Sequence, residues 1–332
     1  MPASGTALTE NKILFMKIMK CSWCFVKQQE ENVMCKECRG SITDLVKSGA
    51  VMVSDGAWGT FLQKQGMKPG ECPELWCVDH RDAVLSIAQS YIDAGSEMVE
   101  TDSFGGTRFK LEHYGLADRT AEINQAAAAI SREAAGHDNF VIASVGPTGK
   151  MLVMGDVTEE ELYEAFKEQA MALEVGGADA VCIETMSDID EARLAVKAAR
   201  ENTDLEIITT FTFERTVNGD YRTMMGVSPT DMVNAMVEAG ADIVGTNCGN
   251  GMERMIEIVK EIRTVDANIP ILVHANAGLP KNVDGVDVFP DTPEDMARMT
   301  PDLVAAGANI IGGCCGTTPA HIAAIKQAIA AM

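Results

Sequence analysis

Positive charge is scarce in this chain. It carries 27 Lys and Arg against 49 Asp and Glu over 332 residues, a formal net charge of −22. Such a balance repels nucleic acid and anionic membranes, so neither is an expected partner. Histidine is also scarce. The five residues form no His-x-His or His-Glu-x-x-His pattern, which removes the usual ligand sets of hydrolytic zinc enzymes. No apolar run is long enough to span a bilayer, and no hydrophobic N-terminal segment leads to a cleavage site. A cytoplasmic protein is therefore expected. Aromatics make up only 5% of the chain, while Ala, Gly, Val, Ile and Met abound, which suits helices packed tightly on a buried sheet. Cysteine is not scarce. Eight of the ten cysteines lie in apolar runs or in Cys-x-x-Cys pairs, Cys72 and Cys77 being the other two. In a chain without signs of secretion, that placement favours metal binding over disulfides.

From residue 51 onwards, apolar runs alternate with amphipathic stretches. The runs cover 51–57, 97–104, 140–147, 180–186, 206–213, 243–248, 271–277 and 309–315. Helical patterns lie near 79–94, 118–135, 158–175, 188–202, 229–239, 252–265, 293–306 and 319–331, the last marked by Ile322, Ile325 and Ile329. Near-continuous hydrophobic strands imply a parallel sheet covered on its outer face. A helix-end glycine followed by a short turn and a strand recurs at Gly95, Gly177, Gly240 and Gly307, before every second strand. Eight strands in a doubled rhythm predict an α/β fold, a closed (β/α)8 TIM barrel, over 41–332. Residues 1–40 differ in character. Cys21-Ser22-Trp23-Cys24 and Cys35-Lys36-Glu37-Cys38 could hold a second, structural metal as a small zinc ribbon. The other reading is a disordered Cys-rich extension.

Barrel active sites lie at the C-terminal strand ends. The eighth run ends Gly312-Gly313-Cys314-Cys315-Gly316-Thr317-Thr318-Pro319, and the sixth ends Gly245-Thr246-Asn247-Cys248-Gly249. Adjacent strand residues point to opposite faces, but flanking glycines let the backbone bend so that both thiols can serve one target. Cys248, Cys314 and Cys315 are therefore expected to meet and hold one Zn2+. The competing reading of each is a small buried apolar residue. Three thiolates leave one tetrahedral position open, which suits a substrate thiol better than hydrolytic water. Asp55 and Glu184 end two other apolar runs, where a carboxylate needs a partner. Either internal basic or backbone groups supply it, or a substrate ammonium does. The turn at 56–60, beginning at Gly56, could offer N–H groups to a carboxylate. Together these features describe a cradle for an amino acid that carries a thiol. No catalytic side chain beyond the metal site is expected.

The stretches Asp55-Gly56-Ala57-Trp58-Gly59-Thr60, Ile183-Glu184-Thr185-Met186, Gly245-Thr246-Asn247-Cys248-Gly249 and Gly312–Pro319 resemble the homocysteine S-methyltransferase family. They are most similar to the homocysteine-binding module of cobalamin-dependent methionine synthases. The resemblance covers 45–332. It implies a zinc-dependent enzyme that methylates homocysteine to methionine, with Asp55 and Glu184 holding the amino group and Gly56 and Asn247 nearby. Trp58 stands where methionine is usual, and Asp102 where asparagine is frequent. The chain ends soon after the eighth helical pattern, so the expected donor is methylcobalamin on a separate corrinoid protein. The alternatives are a small donor (S-methylmethionine, S-adenosylmethionine or a betaine) or, from another class, a zinc- or thiol-binding sensor on the same scaffold. Oligomeric state is not readable from the sequence.

Overall fold

The computed structural model describes residues 39–332 except 284–285. Cys21, Cys24, Cys35 and Cys38 lie outside the described residues. Eight parallel strands form one sheet: β1 (Met52–Val53), β2 (Met98–Glu100), β3 (Phe140–Val145), β4 (Ala180–Met186), β5 (Glu206–Phe211), β6 (Ile243–Asn247), β7 (Ile271–Ala275) and β8 (Ile310–Gly313). They pair in chain order from β2 to β8, and β8 then pairs with β1. Backbone and side-chain bonds bring β1 and β2 together at the remaining seam. Glu97 N donates to Val53 O at 2.8 Å, and Glu100 N donates to Asp55 Oδ2 at 2.8 Å. This nearly closed ring, with helices between the strands, is the expected (β/α)8 barrel.

Eight long helices cover the ring: α1 (Arg81–Asp93), α2 (Thr120–Ala135), α3 (Glu159–Val175), α4 (Ile189–Asn202), α5 (Pro229–Ala239), α6 (Met252–Val265), α7 (Pro293–Ala306) and α8 (Pro319–Ala330). Their ends follow local chemistry. Helices α5, α7 and α8 begin with proline after Ser228, Thr292 and Thr318, where the missing N–H costs nothing. The four recurring glycines all adopt positive φ, between 99° and 115°, the conformation that ends a helix. None of the described helices is long and apolar enough to cross a membrane.

Side chains alternate between the two faces of each strand. Val53, Val99, Val141, Val181, Ile207, Val244, Val273 and Ile311 face outwards and belong to the core shared with the helices. Met52, Met98, Ile142, Cys182, Ile208, Ile243, Leu272 and Ile310, one per strand, fill the barrel interior. Cys182 acts there as a small apolar residue. A short helix, Ile42–Lys47, plugs the lower end with Ile42 and Val46. Its first N–H groups, from Ile42 and Thr43, bond to the Glu206 carboxylate at 2.7 and 2.8 Å. Two small hairpins that periodicity does not reveal pair Glu214–Arg215 with Tyr221–Arg222, and Lys281–Val283 with Val286–Val288. Their strands are two or three residues long, too short for an alternating pattern to register.

Candidate active site

Two residues beyond each inward-facing position, the alternation brings a second set of side chains to the mouth of the barrel. These include Glu100 after Met98, Ser144 after Ile142, Glu184 after Cys182, Thr210 after Ile208 and His274 after Leu272. At β6 and β8 this position is Gly245 and Gly312, and the next step reaches Asn247 and Cys314. The glycines are required by close approach. A Cβ on Gly245 would lie 1.9 Å from Leu272 O, and one on Gly312 would lie 2.7 Å from Asp55 O. A layer of polar groups therefore sits directly above the apolar interior.

The three cysteines lie on this layer. Cys248 and Cys315 Sγ are 3.9 Å apart, Cys314 and Cys315 Sγ are 4.0 Å apart, and all three atoms fall within 4.8 Å of one another. None of the three is in a disulfide. Strand β7 between them fixes their height, because Cys248 N donates to His274 O at 3.0 Å and Cys314 N to Ala275 O at 2.7 Å. Cys248 has a positive φ of 58°, a costly conformation for a non-glycine residue, which turns its side chain out of strand alternation. Among the described residues, no other trio of Cys, His and carboxylate groups lies this close.

The trio suits a thiophilic cation. Tetrahedral Zn–S bonds of about 2.3 Å would separate the sulfurs by about 3.8 Å, close to the spacing found. The ionisation pattern has the same implication. Hydrogen bonds from Cys314 and Cys315 lower the Cys248 thiol to about 3, while donating to Cys248 pushes Cys314 well up and Cys315 to about 11. Without a cation the cluster keeps one thiolate, because adjacent negative sulfurs repel.

A cavity of about 410 Å3 opens beside the sulfurs. Its walls include Gly56, Trp58, Glu74, Glu100, Asp102, Phe104, Ser144, Glu184 and His274 together with all three cysteines. A groove of about 550 Å3 lies outside the barrel along α3, but charged side chains such as Glu160, Glu164 and Lys167 line it, and it contains no cysteine.

Glu184 is fixed from two sides: Ser144 Oγ donates to Oε1, and Asn247 Nδ2 donates to Oε2 at 2.9 Å. Asn247 is fully buried and does not border the cavity. It also binds Thr185 N and Thr210 Oγ1 at 2.8 Å, so it positions Glu184. Asp55 lies beneath the cavity wall with no exposed surface. It receives Trp58 Nε1 at 2.9 Å and Glu100 N at 2.8 Å. Trp58 thus supplies a donor that methionine could not. Gly56 has Thr317 against it, and Thr317 Oγ1 accepts the Ala57 N–H at 3.1 Å, so that turn donor is already used.

A profile described as homocysteine S-methyltransferase matches residues 52–329, a span that contains all these groups. The chain belongs to the homocysteine S-methyltransferase family. It is 32% identical over 309 residues to a methionine synthase of Mycobacterium tuberculosis, covering 87% of this chain and 25% of that protein. It is also 32% identical over 310 residues to a methionine synthase of Mycobacterium leprae, with the same coverage. The chain therefore spans about a quarter of the length of these curated relatives. Its fold is similar to that of the homocysteine methyltransferase MmuM from Escherichia coli in metallated form. The TM-score is 0.70 at 23% identity, covering 86% of this chain and 98% of that one. A methyltransferase from Methanosarcina mazei shares the fold with a TM-score of 0.57 at 12% identity, covering 89% and 98% of the two chains.

Within this family member, one group not singled out from the sequence stands at the site, beside His274 towards the end of the seventh apolar run. Glu100 lines the cavity, and His274 Nδ1 lies 3.5 Å from its Oε1. Burial raises Glu100 and Glu184 to about 8 and Asp55 to about 7, and the negative charge of Glu100 adds to the effect on the other two. Burial also lowers His274, against the opposing pull of Asp55 and Glu184. The alternation rule could have identified Glu100. The run 97–104 also offers Glu97 and Asp102; the inward position of Met98 sets Glu97 apart, whereas Asp102 falls on the same side and also lines the cavity.

Proposed function

We propose that this chain transfers a methyl group to the thiolate sulfur of homocysteine, giving methionine. The observation that carries this reading is that three convergent thiols and buried carboxylates line one cavity. Cys248, Cys314 and Cys315 would hold Zn2+, which would supply a binding position where an incoming thiol loses its proton near neutral pH. The protein groups do the rest. Glu184, held by Ser144 and Asn247, offers negative charge to the substrate ammonium, and Asp55 adds to that field from below. Trp58 and Phe104 give the cavity apolar walls. The sulfur gains the methyl carbon, and the donor departs with the bonding pair.

The donor we infer from the sequence resemblance is a methylcorrinoid on a separate corrinoid protein. One observation favours the small-donor reading: Glu74 and Asp102 form a second buried acidic pair on the wall of the same cavity beside Phe104, an environment suited to a sulfonium or quaternary ammonium. Purified full-length protein should be given homocysteine with each donor in turn, and methionine measured. Product with a methylcorrinoid protein supports the first donor, and product with an onium compound the second. No methionine from any donor rejects the function. Metal analysis should find one zinc that is lost in Cys248→Ser. A second zinc lost in Cys21→Ser would establish the N-terminal ribbon.

A further inference from the structure

Each carboxylate at the barrel mouth can be asked whether the protein already satisfies it. Glu184 bonds to Ser144 and Asn247, and Asp55 bonds to Trp58 and the Glu100 backbone. Glu100 differs. It is 7% exposed and lines the cavity, yet its Oε1 is buried without a hydrogen-bond partner. Its neighbour His274 approaches only to 3.5 Å, is 1% exposed, and leaves its own Nε2 without a partner. Among the described residues, no Lys or Arg borders the cavity. Leaving such an acceptor unpaired is costly, so it calls for a partner that arrives from outside.

We propose that Glu100 is the acceptor that the substrate ammonium completes, and that it makes the pocket select amino-acid thiols over simple thiols. This inference rests on the homocysteine reading and deepens it. Glu184 arrives with its internal bonds made and contributes mainly charge. Glu100 offers the free lone pair, and His274 flanks it from β7 and limits where the carboxylate can turn. A cavity with an unpaired acceptor on its wall, no Lys or Arg lining it and three sulfurs beside it discriminates through the ammonium as well as the thiol.

The test compares L-homocysteine with 4-mercaptobutyrate, which has the same thiol and carboxylate but no ammonium. Binding of both to the zinc-loaded full-length protein is measured by calorimetry, with zinc content and melting temperature recorded alongside. Wild type should prefer homocysteine. Glu100→Gln should weaken homocysteine binding roughly tenfold or more and leave 4-mercaptobutyrate within about twofold, since a charge-assisted bond becomes a neutral one. Glu100→Asp, which keeps the charge but retracts it, should show a smaller loss with the same selectivity, and it serves if Glu100→Gln does not fold. Equal weakening of both ligands, or an unchanged preference in the variants, overturns the proposal. Equal binding of both ligands by wild type overturns it while leaving thiol binding intact. If wild type binds neither, the homocysteine reading itself fails.

Discussion

At the scale of single residues, the sulfur cluster makes the sharpest prediction. Cys248 is already ionised near neutral pH because its two neighbours donate to it, whereas Cys314 and Cys315 hold their protons. Zinc requires all three as thiolates. Loading the metal-free protein near pH 7.5 should therefore release about two protons. Zinc affinity should fall as pH is lowered, by about 100-fold per pH unit while two protons are displaced. Calorimetry in buffers of different ionisation enthalpy reads the proton count directly, and release of no proton would show that the thiols do not hold the ion. This cluster was legible in the sequence because Gly312, Gly313 and Gly316 surround Cys314 and Cys315 with unusual backbone freedom, and Cys248 ends a comparable strand. The turn of Cys248 into positive φ was not legible, because it depends on the bond from Cys248 N to His274 O in another strand.

At the scale of elements, strand spacing depends on a few missing side chains. Gly245 faces Leu272 in the β6–β7 register, and any Cβ there would overlap the Leu272 carbonyl. Gly245→Ala should part the two strands that set Cys248 and His274. We expect it to destabilise the protein by upwards of about 4 kcal/mol, or to prevent soluble expression. Gly219→Ala, in the hairpin turn at φ 90°, where a Cβ would meet only the end of the Arg215 side chain at 3.9 Å, should cost only about 1–2 kcal/mol from backbone strain. Denaturant midpoints for the two variants check the contrast, and similar losses would show that the close approach is not what requires glycine. The eight strands and their helices were readable because most runs are apolar and most turns have a glycine or a proline. The two hairpins were not readable, since polar pairs such as Glu214–Arg215 gain their shape from cross-strand bonding alone. Glu100 escaped notice for a related reason: three acids lie within one short run, and their directions depend on where β2 begins.

At the scale of the whole molecule, the barrel gathers acids where water cannot solvate them. Asp55, Glu100 and Glu184 all have pKa values raised in the folded state, to about 7, 8 and 8, chiefly by burial. The folded protein thus binds more protons than the unfolded chain between roughly pH 4 and 8. The sign follows: the stability of the metal-free protein should be highest in the lower part of that window, and should decline as pH rises through the folded pKa values. Removing one such acid should remove part of the decline. Glu100→Gln and Glu184→Gln should melt close to wild type near pH 5, and a few degrees above it near pH 8.5. Glu100→Gln is the cleaner of the two, because Glu184→Gln also disturbs the bonds to Ser144 and Asn247. Thermal melts of the metal-free proteins across this range are sufficient. Parallel curves for wild type and Glu100→Gln would mean that this carboxyl is solvated after all. A gap that widens with pH would mean that the empty pocket is held at a cost that only a bound cation relieves.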